Sequence, residues 1–273
     1  MKIGAKYVRY IVDHDLHIHS KLSSCSKSEE QTKENILKYG IENNFKTICL
    51  TDHFWDETVD GANDWYMKQG YEHIKQSLPL PQDENVKFLF GCETDLDKYF
   101  TLGLSKENFD KFDFVIIPTT HLHMTDFTID AEKDGSTEGR AKLWEERLNA
   151  VLDMDLPFEK VGIAHITCRL VGDHKNGEDL KIYSMLEQKV LNDIFEKAAE
   201  KKLGIELNFN MNDYNSEGKN IIYRIYNTAK KAGCKFYLGS DSHSPEAFLN
   251  AKQNFNEIID FLDLKETDKF FIV

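Results

Sequence analysis

Histidines and carboxylates recur in this sequence at the ends of short apolar segments. The first group is a His-x-His pair, His17 and His19. Because side chains on a β-strand alternate with a period of two, we expect both imidazoles to project from the same face. Asp241 and His243 form a second pair with the same spacing. Pairs of this kind can bind one metal ion or two neighbouring ions.

More side chains of the same types follow other candidate strands. They are Asp52, His53, Glu93, His121 and His165. In a parallel βα fold the carboxyl ends of the strands open on one face, so these side chains would converge there. Zinc, manganese and iron are bound by such sets of imidazoles and carboxylates. A single histidine is more often structural, but the joint pattern predicts a centre with more than one metal ion.

Short β-branched or aromatic segments alternate with longer segments of helical period, which predicts a parallel α/β sheet. Periodicity alone leaves open whether that sheet is doubly wound or closed as a barrel. The candidate strands are 15–19, 47–51, 86–91, 112–118, 161–166, 204–209 and 235–239. The candidate helices are 32–43, 64–78, 138–153, 184–202, 216–232 and 245–262. Two connections, 54–83 and 124–137, are long enough to suggest functional loops.

Composition and charge limit the possible partners. The 273 residues are 41% apolar and 30% charged, with a formal net charge of −13. No shift in composition marks a linker, so we expect a single domain over residues 1–273. An acidic surface disfavours broad binding to nucleic acids or anionic membranes and favours a small-molecule substrate. Five cysteines without a CxxC pair, no long apolar run and no secretory signal pattern predict a cytoplasmic protein without a membrane segment.

The order of these motifs resembles the PHP family, named for polymerase and histidinol phosphatase domains. The motifs are Asp-Leu-His-Ile-His-Ser at 15–20, Thr-Asp-His at 51–53, an isolated Glu at 93, Ala-His at 164–165 and Ser-Asp-Ser-His at 240–243. The resemblance implies a distorted (β/α)7 TIM-like barrel whose metal site lies at the C-terminal ends of the strands. It also implies hydrolysis of phosphate esters, and the chain length is similar to that of histidinol-phosphatase-like members.

The resemblance further implies a ligand set for two or three divalent ions. His17, His19 and Asp241 would hold the first ion, Glu93 would bridge to a second held by His121 and His165, and His53 and His243 would hold a third. Family members usually complete the third site with a His or Asp, but residues 21–26 contain neither. Cys25 could supply a thiolate there, because coordination lowers the pKa of a thiol. Otherwise the third position is weak, empty or completed by water.

The predicted chemistry is hydrolysis at two neighbouring ions, which can lower the pKa of a shared water and neutralise charge on the phosphoryl oxygens. Glu93, Asp241, His243 and His123 form the proposed catalytic set. His123 is an alternative ligand to His121 or a general acid for the leaving group. Asp52 would either orient an imidazole or accept a backbone amide in a turn.

Arg169 is the leading candidate for binding phosphate, because a guanidinium can donate two parallel hydrogen bonds to phosphate oxygens. The alternative is a surface arginine of an acidic protein, and Arg140 is a second candidate. Asn208 and Asn210 alternate after the sixth strand, where they would bind substrate, support the metal ligands or begin a turn.

Trp55, Trp65 and Tyr66 in the first long connection would form an apolar wall for an organic leaving group, or would pack a lid or a satellite core. His14, His73 and His174 are expected to be structural or solvated.

Three functions remain open at this point. The leading hypothesis is a phosphomonoesterase acting on a small phosphorylated metabolite, with L-histidinol phosphate as the leading candidate and histidine biosynthesis as the implied pathway. The second is a phosphodiesterase or nuclease acting on nucleotides or short oligonucleotides. The third is a catalytically weak metal-binding module whose role is interaction. The sequence makes no prediction of the oligomeric state.

Overall fold

A ring of parallel β-strands forms the centre of the protein, seen in a computed structural model that describes residues 8–130 and 135–272. The strands are β1 (His14–Ile18), β2 (Thr47–Leu50), β3 (Lys87–Glu93), β4 (Phe114–Pro118), β5 (Val161–Ala164), β6 (Gly204–Leu207) and β7 (Lys235–Leu238). All seven pair in parallel in sequence order. The prediction of an α/β, TIM-like (β/α)7 barrel is confirmed, and the alternative of an open sheet is excluded.

The ring closes where the first strand meets the last. At the upper end, the backbone N–H of His19 donates to the carbonyl of Ser242 at 3.0 Å. Lower down, a side chain takes the place of the backbone ladder, since the N–H of Leu238 donates to Nε2 of His14 at 3.1 Å. His14 is therefore a buried structural residue, in agreement with its predicted role. The barrel is nearly closed, with side chains completing the seam between β1 and β7.

Helices follow the strands and cover the outside of the ring. Those of the described residues are α1 (Lys33–Glu42), α2 (Tyr71–Ile74), α3 (Thr137–Asp153), α4 (Glu178–Met185), α5 (Gln188–Lys201), α6 (Ser216–Ala232) and α7 (Ala251–Leu262). Helix α6 ends at Gly233, whose φ of +92° is a left-handed conformation that suits glycine. None of these helices combines the length and apolar character needed to span a bilayer.

Three of the predicted helices were wrong in extent. The segment 64–78 contains only the short helix α2 between 3-10 turns, because Gly70 takes an extended conformation and interrupts the run. The segment 184–202 is divided between α4 and α5, since Leu186 is extended and buried. The segment 245–262 begins with a 3-10 turn, Pro245–Asn250, before α7 starts.

Two buried clusters fill the two sides of the strands. Along β4, Phe114 and Ile116 belong to a small cluster, whereas Val115 and Ile117 belong to the large cluster that includes the helices. Because strand side chains alternate, the small cluster fills the barrel interior. Its apolar packing lies toward the strand beginnings, and the carboxyl ends carry the polar residues described next. Within the second long connection, residues 131–134 lie outside the described part of the chain.

Candidate metal centre

The predicted ligands converge at the carboxyl ends of the strands. His17 lies on β1 and His19 follows it, Glu93 ends β3, and His53, His121 and His165 follow β2, β4 and β5, with Asp241 and His243 after β7. Asp241 and His243 are partly exposed, and the other six side chains are buried. Residues spread over most of the sequence thus form one cluster, as the strand-end pattern predicts.

Glu93 lies at the middle of this cluster, with its two oxygens facing different imidazoles. Its Oε2 is 3.5 Å from Nε2 of His17, 3.2 Å from Nε2 of His19 and 3.1 Å from Nδ1 of His53. Its Oε1 is 3.3 Å from Nε2 of His165. A carboxylate placed in this way can bridge two ions, one on each side.

Two groups of side chains on either side of Glu93 have the spacing of metal ligands. In one, Oδ1 of Asp241 lies 3.3 Å from Nε2 of His17 and 3.1 Å from Nε2 of His19. In the other, His121 and His165 approach Glu93, with potential ligand atoms all within 4.8 Å of one another. These nitrogen and oxygen donors suit zinc, manganese or iron.

A third group contains the cysteine. Cys25 lies with His19, His53 and His243 so that their potential ligand atoms fall within 4.8 Å of one another. Among the described residues, Nδ1 of His53 is a buried nitrogen without a hydrogen-bond partner. That nitrogen lies 3.1 Å from Oε2 of Glu93 without forming a hydrogen bond, and a thiol grouped with three imidazoles fits a site for a borderline metal ion. The donor set is therefore suitable at all three positions.

The electrostatics of the centre favour bound cations. Burial alone would raise the pKa of Glu93, but His53 and His17 outweigh it and hold that pKa well below its usual value. Burial would lower the pKa of His17, yet Glu206, Asp241 and Glu93 raise it well above the usual value. Without metal, Glu93 is thus ionised and protons are held on His17 and His19, whose pKa values are raised, whereas burial keeps the pKa of His53 well below its usual value. Divalent ions would take the place of those protons.

Glu206 supports two of the predicted ligands and was not anticipated from the sequence. This fully buried residue of β6 accepts a hydrogen bond from Nδ1 of His17 at 2.7 Å on one oxygen. Its other oxygen accepts from the backbone N–H of His165 at 2.6 Å. With Nδ1 held in this way, Nε2 of His17 is left for a metal ion. The available sequence signal was an acid between two apolar residues of a buried strand.

Asp52 fulfils both of its predicted roles. Its Oδ1 accepts from the backbone N–H of Ser20 at 2.6 Å and from the hydroxyl of Ser23 at 2.9 Å. The Ser23 oxygen in turn lies 2.9 Å from Nδ1 of His19. Because the hydroxyl donates to the carboxylate, it can accept from Nδ1–H, which leaves Nε2 of His19 for coordination. Asp52 therefore orients His19 through an intervening serine.

The backbone at two of the predicted ligands is unusual. His165 has a φ of +29° and Asp241 a φ of +53°, in the left-handed region that residues with a Cβ rarely adopt. A strained backbone conformation of this kind persists only where contacts with the surrounding structure enforce it, and such conformations are frequent at functional sites. Gly239, just before this segment, has no space for a side chain, since a Cβ would lie 1.9 Å from Oε1 of Glu206.

Two cavities open beside the cluster, one on each side of Asp241. The larger has a volume of about 490 Å³ and is lined by aromatic and apolar side chains, including Trp65, Tyr66 and Met124, together with His123. Trp55 does not line it but packs with Tyr66 and Phe127 in a buried satellite cluster. Trp65 and Tyr66 therefore form part of the cavity wall, and Trp55 and Tyr66 also pack in the satellite cluster.

The smaller cavity, of about 310 Å³, is polar and includes Arg169, Asn208 and Asn210 in its lining. Arg169 forms two long ion pairs. Its Nη1 lies 3.6 Å from Oδ2 of Asp213, and its Nε lies 3.8 Å from Oδ2 of Asp179. Within the described part of the chain, Nε of Arg169 and Nδ2 of Asn208 are buried donors without hydrogen-bond partners. Two unused donors beside His165 and Asp241 are suited to an oxygen-rich ligand.

The remaining candidates have structural positions. Arg140 donates to the carbonyls of Leu122 and Val171 and so ties two loops together. Nε2 of His73 lies 2.8 Å from the carbonyl of Leu22. His174 belongs to a 3-10 turn.

Comparison with known proteins places this geometry in context. Residues 15–210 match the family model described as "PHP domain". The structure resembles that of a histidinol phosphate phosphatase from Lactococcus lactis subsp. lactis Il1403, solved in complex with zinc, L-histidinol and phosphate, with a TM-score of 0.59 and 15% sequence identity. The alignment covers 95% of this chain and 98% of that one. No curated protein matches the chain significantly. At this identity, the structural likeness establishes the shared fold.

Proposed function

The chain belongs to the PHP domain family, and from this premise we propose that it is a metal-dependent phosphomonoesterase acting on a small phosphorylated metabolite. The observation that carries the proposal is the position of Glu93, whose two oxygens face two separate groups of imidazoles. That arrangement matches the requirement of a centre with two ions that share one carboxylate. L-histidinol phosphate is the leading substrate.

We propose the following assignment of ligands for two or three zinc, manganese or iron ions. His17, His19 and Asp241 would hold the first, Glu93 would be shared with the second, which His121 and His165 would hold, and His53, His243 and Cys25 would hold the third. When bound, such ions acidify water and neutralise charge on a phosphoryl group. Glu93, Asp241 and His243 position the reacting centre, and His123 lies on the side of the larger cavity for the leaving group.

The two cavities suggest how a substrate is oriented. The unused donors of Arg169 and Asn208 can bind phosphate oxygens from the polar side. The larger cavity, with Trp65 and Tyr66 in its wall, has room for a small organic group. An amino alcohol that carries an imidazole ring, such as histidinol, suits this combination. The complex of the Lactococcus lactis enzyme with L-histidinol and phosphate adds support for a substrate of this class.

We further propose that the protein acts in the cytoplasm, in histidine biosynthesis, as a single domain spanning residues 1–273. The cysteines of the described structure form no disulfide, which suits a reducing compartment. The net charge of −13 disfavours long polyanions as partners. A small phosphate ester is the better match to this surface.

Metal analysis followed by substrate comparison tests the proposal. The purified protein is expected to contain at least two equivalents of transition metal and to hydrolyse histidinol phosphate faster than sugar phosphates or a phosphate diester. The variant Glu93→Gln should lose turnover while keeping the fold, whereas Glu196→Gln, an exposed change on α5, should retain full rate.

Three results would redirect the proposal. Preference for diesters would favour the phosphodiesterase alternative. Bound metal without turnover on any ester would favour a metal-binding module. Absence of metal, or full activity in Glu93→Gln, would refute the metal-hydrolase function.

A further inference from the structure

Arg147 is a fully buried cation on α3 that lies behind the centre. Its guanidinium has five N–H groups, and each is directed at an oxygen. The acceptors are the carbonyls of Thr119 (3.1 Å), Asp97 (3.2 Å), Thr128 (3.1 Å) and Leu96 (3.0 Å), and Oδ1 of Asp95 (3.2 Å). Four backbone carbonyls and one carboxylate are thus held by a single side chain.

These acceptors belong to the segments that carry two of the proposed ligands. Asp95 and Leu96 follow Glu93, the last residue of β3, by two and three positions, and Thr119 follows β4 two positions before His121. By binding both segments, Arg147 fixes the distance between the ends of neighbouring strands. The planar shape of the guanidinium also fixes their relative orientation.

Asp95 continues the contact to the centre itself. Its Oδ2 lies 2.8 Å from Nδ1 of His121 and also accepts from the hydroxyl of Tyr66 at 3.0 Å. Asp95, His121 and Arg147 are all buried. A carboxylate acceptor holds the proton of His121 on Nδ1, which leaves the Nε2 lone pair for coordination beside Glu93 and His165.

Stability alone is a weak explanation for this ion pair. Transfer of an arginine and an aspartate from water to the protein interior costs free energy, and the attraction between them offsets only part of that cost. Proteins in which apolar residues of similar volume replace such a pair are often equally stable. The pair instead supplies a fixed orientation for His121 that an apolar contact would not provide. Because Arg147 uses all five donors, a lysine with three donors would leave acceptors without a partner.

We propose that Arg147 and Asp95 are positioning residues that set the tautomer and direction of His121 and so determine the affinity of the second metal position. This inference rests on the proposed metal-dependent function. Partners of metal-bound histidines typically contribute about 10- to 100-fold in metal affinity or activity. The loss should fall on the ion held by His121 and His165 and leave the first ion in place.

Arg147→Lys and Asp95→Asn test the inference in the metal-loaded protein. Metal content is measured after equilibration with a graded series of chelator concentrations, and kcat and KM are measured as zinc is added back. We expect both variants to lose one equivalent of metal at about 10- to 100-fold lower chelator concentration than the wild type. We also expect kcat to fall with little change in KM, and excess zinc to restore it. A purely structural role would not produce rescue by zinc.

Arg224→Lys is the matched control, because Arg224 also donates to backbone carbonyls, those of Leu186 and Tyr183, but does not contact the centre. It should retain wild-type metal content and rate. If Arg147→Lys does not fold, the nearly isosteric Asp95→Asn still decides the question. Folded variants that keep both metal equivalents at wild-type affinity would overturn the inference. A wild-type protein without metal would instead refute the proposed function.

Discussion

Oε1 of Glu206 lies 2.7 Å from Nδ1 of His17, and neither side chain is exposed to solvent. This contact joins β6 to β1 across the barrel interior. The second oxygen of Glu206 accepts the backbone N–H of His165 at 2.6 Å. One carboxylate that is not itself among the proposed ligands therefore links two residues that are.

Replacing Glu206 by glutamine should weaken metal binding while leaving a folded barrel. The amide can donate where the carboxylate only accepts, so one of the two hydrogen bonds becomes unfavourable. We expect about 10- to 100-fold weaker binding at the position held by His17, measured by titration of metal-depleted protein. Glu200→Gln, on the exposed side of α5, serves as the control. Equal affinities in the two variants would contradict this role.

Gly239→Ala should damage the centre through crowding. The added Cβ would lie 1.9 Å from Oε1 of Glu206 and 2.6 Å from Cβ of His17, so one of them must move. Overpacking of this kind costs about 1–3 kcal/mol in unfolding free energy, and here we also expect loss of metal. Gly177→Ala is the control, since φ is +73° there but no atom lies within 4 Å of the new Cβ.

Gly177→Ala should lower the free energy of unfolding by about 1 kcal/mol, because alanine is strained at a positive φ. It should keep its metal. Urea unfolding gives the stability of each variant, and elemental analysis gives the metal content. Full metal occupancy in a folded Gly239→Ala protein would show that the close approach of Gly239 to Glu206 and His17 is not needed for metal binding.

Substitution of cobalt for the native metal should reveal whether Cys25 is a ligand. A thiolate bound to cobalt(II) produces a sulfur-to-metal charge-transfer absorption, which imidazole and carboxylate ligands do not. Burial raises the pKa of the Cys25 thiol, and so do Glu93 and Asp241, so a bound ion must displace its proton. We expect the band in the wild type and its loss in Cys25→Ser.

Cys168→Ser should keep the band, because the sulfur of Cys168 accepts the backbone N–H of Leu170 and lines the polar cavity instead. Persistence of the band in Cys25→Ser would exclude Cys25 as the ligand, and loss of the band in Cys168→Ser would contradict the assignment of the thiolate to Cys25 alone.

His14 should make stability depend on pH. Burial lowers its pKa below the usual value, and the hydrogen bond to Asp13 opposes this shift only in part. Lys269 lowers this pKa and Glu266 raises it, while the hydroxyl of Tyr10 lies 3.4 Å from Nε2. Because the unfolded chain binds the proton more readily, unfolding free energy is lost as the pH falls below about 6.5. Protonation also removes the acceptor for the N–H of Leu238.

His14→Gln isolates this contribution. At pH 7.5 the variant should be about 1–2 kcal/mol less stable, because a buried hydrogen bond is disturbed. The difference in unfolding free energy between the two proteins should be smaller at pH 5.5, because the buried imidazole of the wild type is destabilising once His14 of the unfolded chain is protonated. His174→Gln, in a turn, should match the wild type at both values. A difference for His14→Gln that stays constant with pH would refute the assignment. Urea denaturation at each pH measures all three proteins.

The ligand candidates were predictable because strand geometry is periodic. A spacing of two places His17 and His19 on one face, and the strand-end rule brings Glu93 to the same edge. Closure of the sheet was not predictable from periodicity, because it depends on contacts such as that of His14 with Leu238. Local hydrophobic patterns also overestimated helix length around Gly70, where backbone conformation overrides the pattern.

The supporting residues escaped prediction for a different reason. Arg147 follows two glutamates in a helical segment and reads as part of a solvated face, although it is completely buried. Glu206 and Asp95 stand beside apolar or polar neighbours without a motif of their own. Their significance comes from contacts across the barrel, which local sequence does not encode.

The adjacency of the first and last strands has a consequence for biosynthesis. Leu238 and His14 meet although they are 224 positions apart, and His17 and Asp241 meet beside them. During vectorial synthesis the His-x-His pair emerges from the ribosome long before its carboxylate partner exists. We expect the pairing of β1 with β7 to be a late step of folding, because the entropy lost in closing so long a loop is offset only by contacts that form when the ring is joined. Under the proposed function, the first metal position could therefore assemble only after the last strand has been synthesised, and binding of an ion there would require the joined ring.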